Sequence, residues 1–217
     1  MTLLYLVRHG ETDWNLAKRI QGSTDIPLND TGRAQATATG KLLARREWHR
    51  IVSSPLSRAV ETARLIGAEV GIADLEIMPA LAERAYGEAE GLNAQELSAR
   101  FPPVHGGLDS GHVPGREERA EVAARVIPAL LAHAQAHPGE RVIVTTHGGV
   151  IRAVLNAVAA GDERHRGEQV TNGSIHSFAV EGDGLRLIQF DDPIEQESAA
   201  GADFEEQNPA EEREPAR

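Results

Sequence analysis

Hydrophobic and polar positions alternate in blocks along this chain, and two of the apolar blocks are unbroken. Leu3-Leu4-Tyr5-Leu6-Val7 and Val142-Ile143-Val144-Thr145 run without a polar interruption, the pattern of strands covered on both faces in a parallel sheet. Ile51-Val52-Ser53 and residues 75–78 read as two more short strands. Residues 174–180 and 185–190 read as a hairpin closed by Gly182-Asp183-Gly184. Helical spacing fills the intervals. Asn29-Asp30-Thr31-Gly32 predicts a turn and N-cap before a helix over 33–46, with Ala36, Ala38, Leu42 and Leu43 on its packed face. Ser54-Pro55 predicts the first turn of a second helix carrying Ala59, Ala63 and Ile66 and ending near Gly67 or Gly71. A third helix over 117–137 has Val122, Val126, Ile127, Leu130 and Leu131 on one side, and Pro128 inside it predicts a kink or break. Residues 94–100 and 150–160 complete the helices. Strands alternating with helices predict an α/β fold: a single three-layer α/β/α domain around a mostly parallel central sheet, with an antiparallel element at its C-terminal end.

Composition narrows the setting. The 217 residues include no cysteine, which excludes disulfides and thiolate metal sites. No stretch has the roughly 18 apolar residues of a membrane span, and residues 1–8 lack a signal peptide's basic start, so a cytoplasmic location is expected and no membrane partner. The net charge is −11, and residues 191–217 alone hold ten acidic side chains against Arg213 and Arg217. That composition cannot bury enough surface to offset the entropy of ordering. We therefore expect a catalytic domain over 1–191, with a lid or insertion over 93–114, and an acidic disordered tail over 192–217. A body with little net charge and no basic stripe argues against nucleic acid as a partner.

The candidate chemistry lies where predicted strands stop. The first strand runs into Arg8-His9-Gly10-Glu11-Thr12, and the later one into Thr146-His147-Gly148-Gly149. In open α/β sheets ligands bind outside the carboxyl ends of the strands, so both imidazoles are expected at one crevice, with the glycines allowing sharp turns. Ser53-Ser54-Pro55-Leu56-Ser57-Arg58 and Glu83 follow two other strands on the same side. These residue types suit phosphoryl transfer. Arginine grips a phosphate bidentately, which makes Arg8 and Arg58 the clamps, the latter in the first turn of a helix where backbone N–H groups also favour an anion. An imidazole can attack phosphorus, which makes His9 the nucleophile, kept neutral by the neighbouring arginines. His147 would donate to the phosphoryl oxygens. Glu83 would protonate the leaving oxygen and later take a proton from water, a bound anion raising its pKa; Glu88 and Glu90 stay open for that role. The structural alternatives are that Arg8 and Arg58 merely pair with Glu83 and Glu61, and that Glu11 only favours its turn. His49, His133, His137, His165 and His176 are read as surface residues, and the histidines lack the spacing of a metal motif. No metal and no cofactor are expected.

Leu6-Val7-Arg8-His9-Gly10-Glu11-Thr12 resembles the signature of the histidine phosphatase superfamily, which includes cofactor-dependent phosphoglycerate mutases. The resemblance continues in family order through Trp14-Asn15, Gln21-Gly22, Ser53 to Ala59, Leu81-Ala82-Glu83, Tyr86 to Gly91 and Thr146-His147-Gly148-Gly149, spanning about residues 2–190. It implies a phosphoglycerate mutase-like fold, a phosphohistidine at His9, a phosphate pocket from Arg8, Arg58 and His147, and a proton donor at Glu83. Asn15, Gln21, Gly22 and Gly148 match positions lining the same pocket. Ala89 stands where relatives usually carry an aromatic, and Arg116-Glu117-Glu118 replaces the usual Gly-Glu-Ser.

A mutase must hold a multiply charged intermediate, which takes extra cations over the pocket. Residues 93–114 offer Arg100, His105 and His112. Water is therefore expected to take the phosphoryl group. The favoured reading is a phosphomonoester hydrolase acting on small phosphorylated metabolites. The alternatives are a phosphoglycerate mutase, a dedicated phosphatase for a cobalamin precursor (α-ribazole phosphatase) or for a glycolytic intermediate, and a non-catalytic phospho-ligand binder. A homodimer is left open.

Overall fold

The computed structural model describes residues 1–102, 111–158, 165 and 168–194. Six strands form one sheet: β1 (Leu3–Arg8), β2 (Arg50–Ser53), β3 (Leu75–Ile77), β4 (Arg141–Thr146), β5 (Ile175–Glu181) and β6 (Gly184–Gln189). Their spatial order is β3-β2-β4-β1-β5-β6. β1, β4, β2 and β3 are mutually parallel, while β5 runs antiparallel to β1 and β6 antiparallel to β5. Register sets Arg8 against Thr146 and Ser53 against Thr145, so three parallel strands end level with one another.

Alternating side chains of the unbroken runs go to opposite faces, and each face has its own helices. Leu4, Leu6, Val142, Val144 and Val52 pack with Val122, Val126 and Leu130 of α5 (Arg119–Ala136) and Val150, Ile151 and Val154 of α6 (Gly148–Val158). Tyr5, Val7, Ile51 and Ile143 pack with Leu43 of α2 (Asp30–Leu43) and Ala63 and Ile66 of α3 (Ser57–Val70). Burying each large apolar side chain contributes roughly 1.5–3 kcal/mol, so burial on both faces locks the register of β1 and β4. The result is three layers, with helices on both faces of a mostly parallel sheet.

Several local expectations are corrected. Asn29 does cap α2, its Oδ1 accepting from the Gly32 N–H at 2.8 Å, but the buried face is Gly32, Ala36, Thr39, Gly40 and Leu43, with Ala38 exposed. Pro55 precedes α3 rather than entering it, since Leu56 is the N-cap. α5 runs through Pro128 without a break. Pro128 and Ala124 are both exposed, on the outer side of the helix, while Val126 and Leu130 hold the two halves against the sheet. Two short helices, α1 (Asp13–Leu16) and α4 (Ala94–Arg100), each carry a capping box, from Thr12 and Asn93 respectively. Asp192 and Ile194, expected in the disordered tail, are docked: Asp192 accepts from Ser177 Oγ at 2.7 Å, and Ile194 is fully buried beside Leu43. Residues 103–110, which include His105 of the expected lid, and 195–217, the rest of the expected tail, lie outside the described residues.

Candidate active site

β1 and β4 are adjacent, and each delivers a histidine as it ends. His9 is anchored by its N–H to the Thr146 carbonyl at 3.0 Å, and Asn172 Nδ2 donates to the His9 carbonyl at 2.9 Å. Its side chain is almost completely buried, with Nδ1 2.6 Å from the Gly10 carbonyl oxygen. A carbonyl can only accept, so Nδ1 carries the proton and Nε2 keeps the lone pair. Gly10 does not adopt a positive φ. What it requires is space, because a Cβ there would run into the Gly32 carbonyl at the start of α2.

Arg8 and Arg58 do not pair with Glu83 and Glu61, and among the described residues neither forms an ion pair. Glu61 is taken by Arg33, at 2.7 Å. Arg58 is fully buried, donating to the carbonyls of Thr24 at 2.9 Å and Gly22 at 2.8 Å. Arg8 donates to the Val170 carbonyl at 2.6 Å. The Nε atoms of both are buried without a partner among the described residues. Carbonyls orient a guanidinium without cancelling its charge, so these two cations leave a positive pocket beside His9. Burial, then Arg58 and Arg8, holds the His9 pKa well below its ordinary value. The arginines expected to keep it neutral therefore come second to desolvation.

Glu83 reaches the pocket from the loop after β3, with Oε1 accepting from the Arg84 N–H at 2.8 Å and Oε2 from the Gly149 N–H at 3.1 Å. A side chain at Gly149 would collide with this carboxylate. Burial raises the Glu83 pKa even though both hydrogen bonds and both arginines lower it. The alternatives Glu88 and Glu90 are employed elsewhere. Glu88 pairs with Arg100 at the surface. Glu90 ties down Ser23, Thr24 and the Tyr86 N–H, contacts that hold its pKa below the ordinary carboxylate value despite partial burial. Glu11 accepts from Asn29 Nδ2 at 2.9 Å, joining the loop to the cap of α2.

A cavity of about 400 Å³ has Arg8, His9, Asn15, Gln21, Gly22, Arg58, Glu83 and Gly148 in its wall. Asn15 Oδ1 is engaged by Thr12 and Asn172, which leaves its amide N–H₂ to donate. His147 is set behind that wall, fully buried, its ring 5.1 Å from that of His9. Its Nε2 is 2.7 Å from Ser54 Oγ, and its Nδ1 has no partner among the described residues. Burial, followed by the charge of His9 and the arginines, holds its pKa well below the ordinary value.

The sequence reading gave Ser54 no individual role and overlooked Asn172, Arg19 and Arg152. Arg152 also lines the cavity, fixed by the carbonyls of His165 and Glu168. It stands four residues after Gly148, on the same side of α6, and that spacing could have revealed it. Arg19, also lining the cavity, donates to the Gly91 carbonyl and pairs with Glu96 at 3.1 Å. Two of the histidines assigned to the surface are not there. His176 is fully buried between Ser174 Oγ and the Asp191 N–H, with burial lowering its pKa to about 4, and His133 is nearly as inaccessible.

His9, Arg8, Arg58 and Glu83 meet in this cavity, and the pattern of the histidine phosphatase superfamily (branch 1) matches residues 4–193. The chain belongs to that superfamily. Within it, the chain is 36% identical over 190 residues to an uncharacterized phosphatase of Bacillus subtilis, PhoE, a match covering 88% of this chain and 94% of that protein. It is 38% identical over 169 residues to 2,3-bisphosphoglycerate-dependent phosphoglycerate mutase 2 of Gloeobacter violaceus, covering 71% of this chain and 74% of the mutase. Mycobacterial glucosyl-3-phosphoglycerate phosphatase, solved in complex with VO3, matches its fold with a TM-score of 0.75 at 30% identity, over 87% of this chain and 98% of that one. Among the described residues, no helix of this superfamily member is long and apolar enough to cross a membrane.

Proposed function

We propose that the chain is a phosphomonoester hydrolase that works through a phosphohistidine at His9 on small phosphorylated metabolites. The observation that carries this reading is the hydrogen bond from His9 Nδ1 to Gly10, which leaves Nε2 unprotonated beside Arg8 and Arg58. In the first step Nε2 attacks phosphorus as the ester P–O bond breaks, and Glu83, whose raised pKa keeps it protonated to higher pH, gives its proton to the departing alkoxide. In the second step water attacks the phosphohistidine, Glu83 takes a proton from that water, and phosphate leaves with the Nε2 lone pair restored. Arg8, Arg58 and the Asn15 amide hold the phosphoryl oxygens, with Gln21, Gly22 and Gly148 shaping the pocket, and His147 supports the charge that builds in the transition state. This sequence of steps uses no metal and no cofactor. The cytoplasm, where such metabolites are made and consumed, is the compartment it implies.

A mutase reading draws on Arg19 and Arg152, two cations in the cavity wall beyond those counted from the lid. Arg19 is paired with Glu96 and Arg100 of the expected lid with Glu88 at the surface, so Arg152, oriented by backbone carbonyls, is a single added cation, too little for a multiply charged intermediate. We therefore favour transfer to water. A panel of phosphate esters that includes 3-phosphoglycerate, scored separately for released phosphate and isomerised product, should give phosphate as the main product. Isomerisation outpacing release would replace the hydrolase reading with the mutase. An acid-labile phosphoenzyme should form in the native protein and be absent from folded His9→Ala; a phosphoenzyme in that variant would overturn the role of His9.

A further inference from the structure

On the face of the sheet covered by α5, away from the phosphate cavity, three potential metal ligands converge. His133 and His137 stand one turn apart on the last part of α5 and the residue after it. Glu76 is in register with Val52, whose side chain packs beneath α5, so the Glu76 carboxylate rises from the edge strand β3 toward the same helix. One ligand atom from each of the three lies within 4.8 Å of the others. His133 Nδ1 is 3.4 Å from Glu76 Oε1, and the two imidazole rings are 4.7 Å apart.

A histidine that only stitches a core together uses both ring nitrogens, as His176 does. His133 does not: its side chain is 5% exposed, and its buried Nε2 has no hydrogen-bond partner among the described residues. An unpartnered polar atom in that position costs stability unless another ligand satisfies it. Arg50 is the cation facing this cluster, and its charge is offset by Glu140 at 2.7 Å. Glu76 is half-exposed, so an ion can enter from solvent and keep water as a remaining ligand.

We infer that Glu76, His133 and His137 form a binding site for a divalent transition-metal ion of the zinc or cobalt class, which ties the end of α5 to the edge strand β3. Two imidazoles and a carboxylate are the donor set such ions take. Nitrogen and oxygen ligands around tetrahedral zinc lie ~3.4 Å apart, so the exposed Glu76 and the half-buried His137 need to move inward by about 1 Å. The site is separate from the phosphate chemistry, and its existence does not depend on the hydrolase reading.

The test is calorimetric titration of the chelator-treated full chain with zinc chloride, paired with the visible spectrum of the cobalt-loaded protein. We expect one ion per chain, bound at least tenfold more weakly by His137→Gln and by Glu76→Gln, with the cobalt absorption lost in both. Both positions are accessible enough for the variants to fold, which circular dichroism checks. Zinc should raise Tm in the native chain and not in His137→Gln. His9→Ala should bind zinc as the native chain does. Absence of stoichiometric binding, equal binding by His137→Gln, or loss of binding in His9→Ala would each overturn the site, the last by relocating it to the phosphate cavity.

Discussion

Two clusters of the same residue types sit on one sheet and have different surroundings. At the carboxyl ends of the parallel strands, His9, His147 and Glu83 share their space with Arg8 and Arg58, whose guanidinium groups, among the described residues, donate to backbone carbonyls and form no ion pair. Beside the edge strand, His133, His137 and Glu76 face Arg50, whose charge is already offset by Glu140. Uncancelled cations around a neutral imidazole favour an anionic ligand and a nucleophile. A carboxylate beside two imidazoles, with the nearby cation already paired, favours a metal cation. Residue identity supplies the functional groups, and the charge around them selects the ligand.

Breaking the first cluster at His9 should have the largest effect. His9→Ala is expected to lose several orders of magnitude in turnover of any phosphate ester while remaining folded, whereas His137→Gln, the same residue type in the second cluster, should stay within about twofold, since that cluster makes no contact with the phosphate cavity. Steady-state assays of the two variants beside circular dichroism make the comparison. Comparable losses in both would mean that the clusters are coupled.

Glu83→Gln comes next. It should slow release from alkyl phosphates by about 10²–10⁴-fold and phosphorylation by p-nitrophenyl phosphate far less, because p-nitrophenolate leaves almost without a proton. Rapid quench isolates this first half-reaction; equal slowing for both esters would remove Glu83 from the acid role.

The pH profile of the same half-reaction sharpens the point. It needs Glu83 protonated and His9 neutral. Burial raises Glu83, so the rate should fall as pH climbs through a value above the ordinary carboxyl pKa. Burial and the two arginines depress His9, so the acid limb should lie well below the ordinary imidazole pKa. Glu83→Gln should abolish the alkaline limb, and a limb that persists assigns it to another group.

The smallest effects concern the chain end. Ile194→Ala should cost about 2 kcal/mol in urea denaturation, the low end for an isoleucine because a segment near the chain end can relax into the gap. Removing residues 195–217 should leave the hydrolysis rate for a small ester within roughly twofold. A larger loss would show that the acidic segment contributes to the pocket.

Much of the proposed phosphate site was legible in the chain because its residues follow strand ends directly. An unbroken apolar run stops where the sheet stops, so Arg8-His9 and Thr146-His147 could be placed at one edge without knowing the strand order. Arg19 and Asn172 were missed because they reach the site through folds of the chain that no run announces, whereas Arg152, one helical turn after Gly148, was open to a reading of the helix spacing. Ile194 was missed because its surroundings are acidic and polar, and one apolar residue makes no periodicity.

What the sequence determined by itself was therefore the six strands and the longer helices, the three layers and the family signature, since each rests on local pattern and spacing. Only the tertiary structure decided which nitrogen of His9 keeps its lone pair, that desolvation outweighs the arginines in setting its pKa, that His147 stands behind His9, and that Glu76 meets His133 and His137. Each of these depends on which groups are brought close and kept from water. Burial and Coulomb interactions are properties of distance in three dimensions, and separations of 57 and 61 residues along the chain, from Glu76 to His133 and His137, carry no trace of them.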